Sequence, residues 1–247
     1  MRDFVVLARK VPGLAVCMRT VIRIVRVGRY SLHHPGASFP LAVVSGGCCP
    51  KTTVFLKMVV DPLSWWLSVF PHIPPVGHLL RGDLAARWTR FHSLPGSKRY
   101  PDSESDFAEL LMRHLAVAGE LFTSGETIYV YRCHQGEPRL KGRSRHQIVG
   151  RQLRDRTIRF PAVEKPMLNE DYYFVRALAT VWKPDFFEVL TRKVARWELA
   201  GITFVSPRSG NLYCPYDGGM DVFCFSLEPS LLEERFRTWM SEHEGRL

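Results

Sequence analysis

Apolar residues recur at steps of three and four between Ser103 and Phe122, and this is the clearest periodic pattern in the chain. Together with one histidine, these apolar residues form a stripe along one side of the segment: Phe107, Leu110, Leu111, His114, Leu115, Ala118 and Phe122. Such a stripe predicts an amphipathic α-helix with one face in a core. Asp102 or Ser103 is placed to cap its N-terminus, and Glu104 and Asp106 fall in the first turn, where acidic side chains are favourable.

Three other segments show shorter helical patterns. The first covers residues 61–70 and starts with Asp61 and a proline, a typical cap and first helical position; Pro71, Pro74, Pro75 and Gly77 then predict a loop. A second helix follows Lys183 and ends before Gly201, and the third starts at Pro229. The inward positions that we expect in these last two helices are Phe187, Leu190, Val194 and Trp197, and then Leu232, Phe236, Trp239 and Met240.

Alternating or β-branched runs predict six strands, at residues 86–94, 126–133, 172–182, 202–206, 211–216 and 220–226. In the first strand Trp88, Arg90 and His92 share one face. Asp217-Gly218 predicts a hairpin turn, because residues with positive φ suit the two central positions of such turns. Residues 134–159 are expected to form an extended loop. The order of elements predicts an α+β fold, with a mixed or antiparallel sheet, a C-terminal meander and three to four packed helices.

Charge is distributed unevenly along the chain. The formal net charge is +10, but residues 1–57 hold nine Lys and Arg against the single acid Asp3. The remaining residues hold 25 basic and 23 acidic side chains and are nearly neutral. The overall basicity is therefore weak support for nucleic-acid binding by the folded body.

Residues 1–57 form a basic leader with no sustained period, followed by a single α+β domain at 58–247. Three interpretations of the leader stay open: sequence upstream of a true start at Met58, an organelle transit peptide, or a basic arm that contacts nucleic acid or acidic lipid. We favour the first, in which the leader is a mis-assigned start or disordered. Ser45-Gly-Gly-Cys-Cys-Pro-Lys-Thr-Thr53 departs from a phosphate-binding loop, because Pro50 removes a backbone N–H that the phosphate cradle uses.

The sequence predicts a cytoplasmic chain without cofactor or metal. It has six cysteines and no C-x-x-C pair, which favours free buried thiols in a reducing compartment. Charges interrupt every long apolar run, so no membrane segment is expected.

Two segments resemble a known family. They are Trp88-Thr-Arg-Phe-His-Ser-Leu-Pro-Gly-Ser-Lys-Arg-Tyr-Pro101, with the helix that follows, and Asn211-Leu-Tyr-Cys-Pro-Tyr-Asp-Gly-Gly-Met-Asp-Val222, with the last helix. Over about residues 60–247 the chain is similar to the bacterial family called domain of unknown function 3885. The better-known branch of that family has Tyr-Asp-Asp-Arg-Gly where this chain has Tyr216-Asp217-Gly218-Gly219-Met220. The resemblance implies no assigned activity.

Two polar segments are candidate functional elements. One runs from Phe91 to Tyr100 and offers His92, Lys98, Arg99 and Tyr100. The other is the turn that carries Tyr216, Asp217 and Asp221. Loops carry binding residues disproportionately, so we expect these two segments to form one surface of a non-enzymatic binding or interaction module. Its partner stays open, and another protein is one candidate.

Two alternatives remain. His92, Asp217 and Asp221 would form the acid–base set of a small hydrolase if their side chains converge. The basic segment 139–159 would bind nucleic acid through phosphate contacts, although His146 is its single aromatic residue.

Overall fold

The computed structural model describes residues 61–135, 154–161 and 172–241, together with short strands at 42–44, 54–56, 147–148 and 151–152. The chain divides into two compact units, and the larger one contains the described residues between Asp61 and Ser241. In the other unit, the described residues form one antiparallel pair in which Val43 lies opposite Phe55. The remainder of the leader lies outside the described residues, so its predicted origin stays a prediction.

Eleven strands and five α-helices make up the described part of the chain. The strands are β1 (Ala42–Val44), β2 (Val54–Leu56), β3 (Trp88–His92), β4 (Thr127–Gln135), β5 (Gln147–Ile148), β6 (Arg151–Gln152), β7 (Arg154–Pro161), β8 (Tyr172–Val181), β9 (Ile202–Val205), β10 (Leu212–Tyr216) and β11 (Gly219–Phe223). The helices are α1 (Pro62–Val69), α2 (Gly77–Asp83), α3 (Glu104–Leu121), α4 (Pro184–Ala195) and α5 (Pro229–Arg235). Short 3-10 turns lie at Ala85–Arg87, Pro95–Ser97 and Arg237–Trp239.

Seven strands of the larger unit form one sheet in the order β3-β11-β10-β9-β4-β8-β7. Every neighbouring pair is antiparallel. The α+β class is confirmed, the sheet is antiparallel rather than mixed, and the meander β9–β10–β11 forms as predicted. The strand furthest in sequence from this meander, β3, adds to its free edge beside β11.

The sheet has a separate apolar core on each face. One core contains Val117, Leu190 and Leu232, so it lies under α3, α4 and α5. The other contains Trp66 and Leu80, so it lies under α1 and α2. Successive strand residues point to opposite faces, and both faces of each central strand are therefore largely apolar.

The β10–β11 hairpin sits where Asp217-Gly218 predicts it, with Tyr216 opposite Gly219. Its turn residues do not have positive φ, so the expected turn geometry is wrong although the location is right. The next residue, Gly219, is instead needed because β3 and the Tyr216 side chain pack closely against it. A Cβ on Gly219 would collide with the carbonyl oxygen of Phe91 on β3 and with the hydroxyl of Tyr216.

Side-chain caps fix the starts of two helices. Asp61 accepts a hydrogen bond from the backbone N–H of Ser64 at 3.1 Å at the start of α1. Of the two residues predicted to cap α3, it is Ser103 that does so, because its hydroxyl accepts from the N–H of Asp106 at 3.1 Å. These bonds satisfy donors that a helix N-terminus otherwise leaves unpaired.

The end of α4 differs from its prediction. The helix stops at Ala195, and Trp197, which was expected to face the core, is 65% exposed with a positive φ of 60°. The following Gly201 also has positive φ, 66°, and its carbonyl accepts from the N–H of Cys133 at 2.7 Å. A Cβ at this position would collide with the carbonyl oxygen of Cys133, so a glycine is required where the chain enters β9.

Part of the segment predicted as a loop at 134–159 is strand. β4 continues to Gln135, β5 pairs with β6, and β7 occupies the sheet edge beside β8. Charge-rich edge strands are common, because charge protects an open edge, and the arginines of this segment hid its strand character. A smaller difference is that α2 begins at Gly77, where only a loop was expected.

A buried chain of polar side chains lies between α3 and the sheet. Nε2 of His114 is 2.8 Å from the hydroxyl of Ser93, and Nδ1 is 2.6 Å from the hydroxyl of Tyr213. Tyr213 donates its own proton to the sulfur of Met220. A neutral His114 with its proton on Nδ1 satisfies all these bonds, since Ser93 then donates to Nε2 and Nδ1 donates to Tyr213. Burial lowers the pKa of His114 from 6.5 to about 3.

His114 should make the fold sensitive to acid. Its pKa is lowered on folding, so between pH 6.5 and about 3 the His114 side chain is protonated in the unfolded chain but neutral in the native state. The free energy of unfolding then falls as pH falls, with a contribution approaching ~1.4 kcal/mol per pH unit. We expect His114→Gln to remove this contribution in urea unfolding measured at stepped pH. An equal slope for both proteins in that range would contradict the assignment.

Candidate functional site

The Asp217 carboxylate joins the two segments singled out in the sequence. Nε of Arg99 donates to its Oδ2 at 2.6 Å, and the hydroxyl of Tyr100 donates to the same oxygen at 3.3 Å. The Arg99 side chain lies across the hairpin turn, because a Cβ on Gly218 would meet its Cγ at 3.1 Å. The tip of the β10–β11 hairpin and the end of the 93–100 segment therefore form one surface.

Trp197 extends this surface from the end of α4. Its ring centroid is 5.8 Å from that of Tyr100, and the guanidinium carbon of Arg99 lies 5.9 Å from the Trp197 ring and 5.5 Å from the Tyr100 ring. We call Arg99, Tyr100 and Trp197 the aromatic–arginine cluster. The Tyr100 residue is 41% exposed and the Arg99 side chain 60% exposed, so all three groups are accessible to a partner.

Lys98 forms ion pairs with two aspartates at the start of α3. Its ammonium lies 2.7 Å from a carboxylate oxygen of Asp106 and 3.0 Å from one of Asp102. The hydrogen bond from Lys98 and another from the backbone N–H of Asp102 lower the pKa of Asp106 to about 2. Lys98 thus fastens the 93–100 segment to the first turn of α3, and it is not part of the aromatic–arginine cluster.

Asp221 is buried in the middle of β11 and neutralised by Arg81 from α2. The shortest of three Arg81 hydrogen bonds is 2.8 Å, and the indole N–H of Trp88 donates at 2.9 Å. The Asp221 side chain is 2% exposed and that of Arg81 is 25% exposed. A Cβ on Gly77 would lie 2.8 Å from Oδ2 of Asp221, so the start of α2 packs directly on this ion pair. The arrangement is a structural anchor for α2.

Tyr216 and Arg90 occupy the sheet surface between these two sites. The Arg90 guanidinium carbon lies 4.9 Å above the Tyr216 ring, and its Nε donates to the Tyr216 hydroxyl. Burial raises the pKa of Tyr216 to about 12, against the opposing effect of the Arg90 charge. Tyr216 is therefore a neutral, positioned phenol.

His92 is buried at the end of β3, opposite Gly219. Its Nε2 lies 3.4 Å from the hydroxyl of Ser97. Burial, with the nearby Arg90 and Arg113 charges, lowers its pKa, which favours the neutral ring. The carboxylates of Asp217 and Asp221 are hydrogen-bonded elsewhere, to the cluster and to Arg81, respectively.

Sequence reasoning found Arg99, Tyr100, Tyr216 and Asp217 but missed the side chains that complete their surroundings. Arg81, Trp88 and Arg90 lie far from their partners in sequence; Arg81 and Asp221 are 140 positions apart. The acid between Met220 and Val222 in an apolar strand was a usable signal, since a buried carboxylate requires a partner. Nothing in the sequence indicated that Trp197 is exposed, because it continues the apolar period of α4.

The described part of the chain holds no group of three or more His, Cys, Asp or Glu side chains able to bind a metal ion. Within those residues, no helix combines the length and apolar character that crossing a bilayer requires.

The fold and the surface define an antiparallel α+β domain with an exposed cluster of arginine and aromatic side chains. The chain belongs to the family named domain of unknown function (DUF3885), whose model matches residues 76–244. Neither the curated proteins nor the solved structures gave a match. The matched region includes α2, β3, the aromatic–arginine cluster and Asp221.

Breaking the buried ion pair should destabilise the fold more than replacing it. We expect Arg81→Ala to lower the free energy of unfolding by about 3 kcal/mol, because Asp221 stays buried with its charge uncompensated. Combining Arg81→Met with Asp221→Val removes both charges and should cost less than Arg81→Ala alone. Chemical denaturation of the three proteins measures the difference. A double variant less stable than Arg81→Ala would show that the pair itself is a net source of stability.

Proposed function

We propose that this chain is a binding module that engages another protein through the aromatic–arginine cluster, with Asp217 holding Arg99 in place. The observation that carries the proposal is the exposure of Trp197 from a backbone position with positive φ. A bulky side chain in that conformation is strained by roughly 1–3 kcal/mol, and such strain concentrates at functional sites.

The composition of the cluster supports the proposal. Trp, Tyr and Arg are the residue types that most often dominate the binding energy of protein interfaces. Here they lie side by side, and their mutual contacts limit the side-chain entropy lost on binding. The bond to Asp217 uses Nε of Arg99, and no acceptor among the described residues bonds its two terminal nitrogens. These nitrogens are suited to a carboxylate on the partner.

The backbone around Trp197 is held in place rather than free to turn the ring inward. The N–H of Trp197 donates to the carbonyl of Val194 at 3.1 Å, and the N–H of Glu198 donates to that of Lys193 at 3.0 Å. Glu198 and Lys193 also form an ion pair at 3.1 Å. The turn thus presents the indole as a preformed feature of the surface.

The hydrolase alternative has weaker support. It requires His92, Asp217 and Asp221 to act on one substrate, but Asp221 is buried and paired with Arg81, and Asp217 accepts hydrogen bonds from Arg99 and Tyr100 of the cluster. The nucleic-acid alternative depends on segment 139–159, whose side chains lie outside the described residues.

A cytoplasmic location is part of the same proposal. Cys133, Cys214 and Cys224 are buried free thiols, and burial raises the pKa of each, to about 12 for Cys133 and Cys224. Inert, unpaired thiols of this kind are usual in reducing compartments. The bacterial origin implied by the family resemblance stays a prediction.

Trp197→Gly should separate binding from stability. Glycine adopts positive φ without strain, so we expect the free energy of unfolding to stay level or to rise by up to ~1 kcal/mol, with the lost ring contacts offsetting part of the gain. Denaturant unfolding measures this. A clear loss of stability would show that the tryptophan serves the fold.

Binding should fall in the same variant. The immobilised chain is used to capture partners from a lysate of the source organism, followed by quantification of a purified partner. We expect Trp197→Gly, Arg99→Ala and Asp217→Asn each to weaken that partner at least tenfold, because each removes or misplaces a central contact. Leu231→Ala, which trims another exposed apolar residue, is the matched control. Equal recovery by all four variants would rule out the cluster as the binding surface.

A further inference from the structure

Arg132 and Arg176 lie directly opposite each other on neighbouring antiparallel strands. Arg132 is on β4, Arg176 is on β8, and the register pairs them. Directly opposed residues have Cβ atoms about 4.5–5.5 Å apart, and like charges in this arrangement are destabilising. Arginine stays protonated at every physiological pH, so the repulsion cannot be relieved by losing a proton.

No counter-charge compensates this arginine pair within the described residues. None of the ion pairs found there includes either arginine. The Nε of Arg176 is buried and has no hydrogen-bond acceptor in the same part of the chain. A buried guanidinium N–H without an acceptor costs free energy.

The surroundings concentrate positive charge at this place. Arg132 shares its face of the sheet with Val130, one step beyond the apolar core, and its neighbour on the other side is Ile202 of β9. The next pair along the two strands is His134 opposite Phe174, with the rings stacked 5.4 Å apart. Both arginines are half-buried and His134 is exposed, so the pair is within reach of solvent.

Burial lowers the pKa of all three groups, and neighbouring positive charge adds to this effect for Arg176 and His134. Desolvation lowers the pKa of Arg132 and, together with the Arg132 charge, that of Arg176. The pKa of His134 is lowered by burial and then by both arginines. Arg176 and His134 therefore feel the positive field of their neighbours, which an anion would relieve.

We propose that Arg132 and Arg176 form a binding site for the phosphate group of a small molecule, with His134 at its edge. Two guanidinium groups offer planar pairs of N–H donors that match the oxygens of a phosphate, and its two negative charges balance the two arginines. Among the described residues, the positive charge of this site comes from one pair of opposed arginines. Such a compact charge suits a single phosphate better than the row of phosphates in a nucleic acid. This site is independent of the aromatic–arginine cluster.

Thermal unfolding and calorimetry of the full-length chain test the site with inorganic phosphate, against sodium chloride at equal ionic strength. We expect phosphate to raise the Tm of the wild type by roughly 3 °C for each tenfold increase above its dissociation constant. Arg132→Gln and Arg176→Gln should lose this response. In chloride alone both variants should be at least as stable as the wild type, because the repulsion has been removed.

Two further variants make the test specific. Arg237→Gln changes the net charge equally at an exposed position and should respond to phosphate as the wild type does. Arg176→Lys keeps the charge but loses the planar donors, so we expect about tenfold weaker binding. The same stabilisation by phosphate in all variants, or none in the wild type, would overturn the site.

The source of the phosphate is decided by competition. A single-stranded oligonucleotide should be displaced by inorganic phosphate if it occupies this site at all. Oligonucleotide binding that excess phosphate leaves intact, but that Arg132→Gln abolishes, would overturn the small-molecule assignment in favour of nucleic acid.

Discussion

The register of the β10–β11 hairpin is the constraint on which the rest of the described surface depends. With Tyr216 opposite Gly219, Asp221 falls opposite Cys214 on one side and Arg90 on the other. A shift of one residue would move every side chain of β11 to the opposite face. Asp221 would then enter the core under α3 and α4 without Arg81, and Met220 and Val222 would leave it. The apolar alternation and the buried ion pair therefore select the same register.

The sequence was most informative where structure is decided locally. Ser103, the apolar stripe of α3 and the Asp217-Gly218 turn involve residues a few positions apart, and each appears in the structure where it was expected. The α4 terminus could not be predicted in this way. Trp197 continues the period of Phe187, Leu190 and Val194, and only the positive φ that follows Arg196 turns it outward.

Long-range pairing limited the prediction of the site. Arg99, Tyr100 and Asp217 were recognised as exposed polar types, but their contact arises because β3 adds to the edge of the meander. The opposition of Arg132 and Arg176 depends on the register of β4 and β8 and has no signature within either strand. The contrast between the two regions is electrostatic. Around the hairpin both carboxylates meet an arginine, whereas in the described part of the chain the two opposed arginines meet none.

The junction at Gly201 has a mechanical consequence. Its carbonyl is bonded to the N–H of Cys133, and there is no room for a side chain between the two backbones. Trp197 lies four positions before this joint, and Arg132 is the neighbour of Cys133. The α4–β9 connection therefore cannot slide along β4 without breaking that bond. The backbone near Trp197 and the backbone near Arg132 are thus held by the same rigid contact. A ligand that bound at either region would find a pre-organised surface, so little conformational entropy would be lost on binding.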